Sequence, residues 1–87
     1  MDEIYYEKNK DKILDLSNLL ADLVGFLKSQ EMTEVVNTLK KMEPIAKLLG
    51  GIIESNFENL KADIDNCKEP DEIMNRCVDL KNQLWPL

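Results

Sequence analysis

The chain contains no histidine. That removes the commonest general base and the commonest metal ligand. Its two cysteines, Cys67 and Cys77, are too few for a disulfide framework, and without histidine they do not make a zinc site. Serine occurs only at Ser17, Ser29 and Ser55, never in the glycine-flanked setting of a hydrolase nucleophile. Glycine is equally scarce. The single pair, Gly50-Gly51, is followed by Ile52 and Ile53, which is not a phosphate cradle, and neither a P-loop nor a dinucleotide fingerprint occurs. A calcium loop counted from Asp63 fails, because Lys68 falls where glycine is required and Met74 where a bidentate glutamate is required. These absences predict a protein without catalytic residues, cofactor or metal.

Positive charge is also in short supply. The formal net charge is −6 and the pI is near 4.5. The lysines form two small groups, Lys8/Lys10/Lys12 and Lys40/Lys41/Lys47, and Glu7, Asp11 and Asp15 crowd the first. Contact with DNA, RNA or an anionic membrane needs a basic face to displace counterions, so none is expected. The longest apolar stretch, Leu14 to Leu27, is interrupted by Asp15, Asn18 and Asp22 and does not suit a bilayer span. No basic leader precedes an apolar run. A cytoplasmic protein with two buried, reduced thiols is the expectation.

What the chain does have is aliphatic residues at helical spacing. Eighty-seven residues fit one domain with a modest core, burying about 60% of the surface that the unfolded chain exposes. Ile13, Leu16, Leu20, Leu23 and Leu27 line one helix face, and Val35, Val36, Leu39 and Met42 continue in the same style. So do Ile53, Phe57, Leu60, Ile64 and Cys67, and then Ile73, Cys77, Leu80 and Leu84. Nothing alternates with period two over a useful length, so the fold is all-α.

Punctuation places the boundaries. Lys28-Ser29-Gln30-Glu31 ends the first run, with Thr33 or Ser29 as the next cap. Pro70 suits the first position of the last helix, with Asp71 and Glu72 in its first turn, where the helix dipole favours acids. Pro86 would stop that helix. The first helix starts near Glu3 or near Asn9. In the middle, Pro44 and Gly50-Gly51 compete. A helix running through both glycines costs about 2 kcal/mol relative to alanines, whereas an internal proline costs about 3 kcal/mol. A break at the glycines yields four helices of similar length that can close a shared core. The prediction is a small antiparallel bundle of four short helices, the second carrying Pro44 as a kink, with the turn buried between its flanking aliphatics.

Two features point towards partners. The first helix has a surplus of apolar surface. Leu16, Leu19, Leu23 and Phe26 form a second seam beside the core stripe, widening it to roughly 160°. Either this helix is central and meets two neighbours, or Leu19 and Phe26 face a second chain. Trp85, at the end of the chain, either covers the core or anchors a partner. The second feature is a run of seven acids, Glu54, Glu58, Asp63, Asp65, Glu69, Asp71 and Glu72, against Lys61 and Lys68. It is either a solvated face or a patch for a basic surface. The sequence therefore predicts a protein-interaction module, such as an adaptor, regulator or small subunit, that self-associates through its first helix. The rival is a small acidic inhibitor of viral or plasmid-borne type that blocks a nucleic-acid-binding site on an enzyme. An apolar ligand carrier is a third possibility, disfavoured by few aromatics and no convergent polar groups.

Overall fold

Each apolar rhythm becomes a helix. In the computed structural model, which describes residues 3–84, the order is α1 (Glu3–Lys8), α2 (Lys10–Lys28), α3 (Met32–Leu49), α4 (Gly51–Asp65) and α5 (Pro70–Leu84). No strand occurs among the described residues. The expected count of four becomes five, because the first segment divides at Asn9. Its φ of −114° and ψ of 18° lie off the helix. Its N–H is shared between the carbonyls of Tyr5 and Tyr6, and its side-chain amide also donates to the Tyr5 carbonyl at 3.0 Å. Asparagine competes with the regular ladder in this way, and the helix is interrupted at that residue.

Four long helices close on one another. α2 touches α3 and α5, and α4 touches the same two, within a body of 37 × 20 × 19 Å. Their inward stripes form one core. Ile13, Leu16, Leu23, Val35, Met42, Phe57, Leu60, Leu80 and Leu84 are fully buried, each side chain contributing about 1.5–3 kcal/mol by leaving water. Thr38 is the one buried polar residue among those described. Its hydroxyl donates back to the Glu34 carbonyl at 2.7 Å, which removes the cost of burying it. α1 is tied to the far end of α3 by the Tyr5 hydroxyl, which donates to the Leu49 carbonyl at 2.5 Å. That carbonyl lies at a helix C-terminus, where it lacks an intrahelical partner.

The helix ends differ from expectation in instructive ways. α2 and α4 both close with a left-handed residue that is not glycine, Gln30 at φ 58° and Cys67 at φ 53°. Glu31 N–H reaches the Phe26 carbonyl and Gln30 N–H the Leu27 carbonyl; Lys68 and Cys67 repeat the pattern onto Asp63 and Ile64. This paired closure is the Schellman arrangement. Because the chain reverses at Gln30, α3 starts from Glu31, and neither Ser29 nor Thr33 caps it. α5 begins at Pro70 as expected. α3 runs through Pro44 and stops at the glycines. Gly50 alone joins α3 to α4, with φ 65° and ψ −163°, and Gly51 follows at φ 55°.

The turn is less buried than the sequence suggests. Leu49 and Ile53 point into the core, but Leu48 is 71% and Ile52 60% exposed. An arc that counts Ile52 among the inward residues assumes one continuous helix through the glycines. The reversal at Gly50 resets the phase and turns Ile52 out. Pro86 and Trp85 lie outside the described residues.

Candidate functional site

The seam expected on the first long helix is largely used up inside the chain. Leu16 and Leu23 are fully buried. Leu19 and Phe26 are half-buried and pack against the same core. α2 itself lies against two long neighbours, α3 and α5. On the helical wheel, Leu19 and Phe26 fall on one flank of the core stripe, and Ser17, Ala21, Val24 and Lys28 fall on the other. Trp85 lies outside the described residues.

The acidic run does not converge. Asp63 is turned towards α5, where it accepts a hydrogen bond from Arg76 Nε at 2.8 Å. That bond holds the Arg76 guanidinium above its ordinary pKa. Glu54, Glu58 and Asp65 occupy the opposite flank of α4, about 140–180° round the wheel from Asp63. On their flank, Lys61 crosses to Glu43 of α3 at 3.0 Å, and Lys47 meets the same carboxylate at 3.1 Å. The hydrogen bond from Lys61, with Lys47 second, lowers the Glu43 pKa. Glu69, Asp71 and Glu72 are exposed at the α4–α5 turn and the start of α5. Between α4 and α5 lies a polar hollow lined by Asp63, Glu72 and Asp79 but also by Lys68 and Arg76. Its charge is mixed. Among the described residues no three acidic, cysteine or histidine side chains gather closely enough to hold a metal ion.

The thiols also part company. Cys77 is buried, as expected, and desolvation pushes its pKa up to about 11. A thiol at that value is protonated at neutral pH and is a poor nucleophile. Cys67 is exposed instead of buried. Its in-phase spacing with Ile64 ends when the chain turns left-handed at Cys67 itself.

A concavity lies between α2 and α5. It is a groove of about 590 Å³. Ser17, Ala21, Val24 and Lys28 form one wall, on the flank of α2 away from Leu19 and Phe26. Met74, Cys77, Val78 and Lys81 form the other, and Leu20 lies at its floor. Both walls follow helical spacing, so two stripes run side by side for about two turns, or about 10 Å, and the α2 wall extends about one turn further. The surface is mainly apolar, and Val78 stands 52% exposed on its wall. The chain has seventeen acidic residues, yet none among the described residues lines this groove, whereas a lysine stands on each wall. The groove shares α2 with the seam expected from the sequence but lies on its other flank. Val24 was visible at the edge of the core stripe. Val78 and Met74 lay outside every apolar rhythm, and only the packing of α5 beside α2 gives them a role.

No helix among the described residues is long and apolar enough to cross a membrane. No family model, curated protein or solved structure matches the chain.

Proposed function

We propose that the protein is a non-enzymatic protein-interaction module, an adaptor, regulator or small subunit, whose four long helices form an antiparallel bundle with the α2–α5 groove as its contact surface. The observation that carries this reading is the groove itself, two to three helical turns of mainly apolar wall left uncovered by the described helices. Helix-in-groove docking uses such a surface, anchored by residues one turn apart. The aliphatic side chain of Val78 is held out on a regular helix, so a partner orders little of this surface on binding. Leu16 and Leu23, inside the core, are not available to a second chain, and the contact moves from that seam to the other flank of α2.

The test is capture from the cells that make the protein. Wild type and an Ala21→Glu/Val78→Glu variant are immobilised in parallel, after circular dichroism has verified that both are folded. Both positions are exposed, so the variant keeps its core. The reading predicts a stoichiometric partner with wild type that the variant loses. A partner retained equally by both, or no partner with either, refutes it.

A further inference from the structure

The walls of the groove specify what kind of segment would fill it. Resting on the interaction-module reading above, we infer that the α2–α5 groove takes an acidic amphipathic helix from a partner protein, with apolar residues seated on Leu20, Val24 and Val78 and carboxylates meeting Lys28 and Lys81. Three features converge on that occupant. The length of the groove, two turns on its α5 wall and three on its α2 wall, suits a helix of two to three turns. Its apolar floor suits aliphatic residues spaced one turn apart. Its charge is the reverse of the chain's net charge of −6, because two lysines and no acid among the described residues line it. Among the described residues, neither Lys28 nor Lys81 forms an ion pair, so both are available to carboxylates. A basic helix would be attracted by the protein as a whole and would then meet lysines at the site, which favours a carboxylate-bearing partner for this groove.

Two other occupants fit less well. A second copy would have to offer an acidic helix face. The exposed residues Asp11, Asp15 and Asp22 on α2 supply one, but α2 of one copy against the groove of the next is a head-to-tail contact that repeats from copy to copy. A fatty-acid-like ligand would want enclosure of most of its surface, and this groove is open along its length, with Val78 half exposed.

The experiment is a titration of the isotope-labelled full chain, followed by amide NMR shifts. The probe is a synthetic helical peptide with leucines one turn apart and glutamates beside them. Its control has lysine in place of every glutamate. The proposal predicts shifts confined to residues 17–28 and 74–81. It also predicts roughly tenfold or greater weakening in Lys28→Glu/Lys81→Glu or at high salt, and a gain of binding by the lysine peptide to that same variant. Shifts mapping elsewhere, no shifts, or equal binding of both peptides to wild type overturn it. So does tighter saturation of these resonances by oleate, or broadening that grows with protein concentration before any peptide is added. If the acidic peptide fails while native capture still depends on Ala21 and Val78, the module reading survives and only the acidic helix is wrong.

Discussion

Replacing Gly50 with alanine tests the helix count through the sign of one energy. Gly50 is held at φ 65°, ψ −163°, a region essentially reserved for glycine, where an L side chain costs about 1–3 kcal/mol. Space is not the obstacle, because an added Cβ meets only the Lys47 carbonyl oxygen, at 4.0 Å. The cost is therefore conformational. The substitution also restricts the unfolded chain and recovers about 0.4–1 kcal/mol. The net expectation is a loss of about 1–2 kcal/mol, seen as a fall in Tm of roughly 5–15 °C for a domain of this size. Gly51→Ala, at φ 55° with nothing near its Cβ, should lose less. A continuous helix through residue 50 predicts the opposite sign, a gain of about 1 kcal/mol. Chemical synthesis sharpens the test. The mirror image of the Gly50 geometry falls near φ −65°, ψ +163°, in the polyproline region open to any residue. D-alanine at position 50 should thus match or exceed wild type in a thermal melt. An L-alanine variant as stable as wild type would refute the turn.

The other helix ends and the thiols give further tests. Gln30→Gly and Cys67→Gly should each stabilise by about 0.5–1 kcal/mol in denaturant titrations, since both residues occupy left-handed positions; a loss at either would contradict the Schellman closures. Tyr5→Phe removes the tie to the Leu49 carbonyl and should cost about 1 kcal/mol, with faster amide exchange concentrated in residues 3–8. Native protein should show one rapidly labelled thiol, Cys67, and one that reacts only on opening, Cys77. Because the folded pKa of Cys77 is raised from 9.0 to about 11, its contribution is complete below pH 9 and is lost as pH rises towards 11. Denaturant midpoints should fall across that window in wild type, and less so in Cys77→Ala.

Most of the core was legible in the sequence, for a simple reason. Ile13, Leu20, Phe57, Leu60 and Leu80 announce themselves by a period of 3.6 that burial on one helix side imposes. The break at the glycines was legible too, as was Pro70 at the start of α5. What stayed hidden depended on single backbone angles or on tertiary neighbours. Gln30 and Cys67 are left-handed without being glycine, so nothing in their identity marks them. Glu3 and Asn9 were both visible as starts for the first helix, but not that the chain uses both, with a short α1 before α2. Ile52 looks inward on one wheel and outward on another, and a single residue, Gly50, decides between them. The acids from Glu54 to Glu72 are contiguous in sequence, yet Asp63 and Glu58 face opposite flanks of α4. The groove is the clearest case. Its residues come from two helices, and neither stripe means anything until α2 and α5 are side by side.

Site-specific photocrosslinking in the cells that make the protein tests the groove most directly. Benzoylphenylalanine would be placed at Val78, 52% exposed on the groove wall, and in a separate variant at Val36, 46% exposed on α3. The two sites match in residue type and accessibility and differ only in location. A discrete adduct with another polypeptide at position 78, absent at position 36, is the predicted result. Adducts at 36 but not at 78, or equal labelling at both, would contradict a contact surface between α2 and α5.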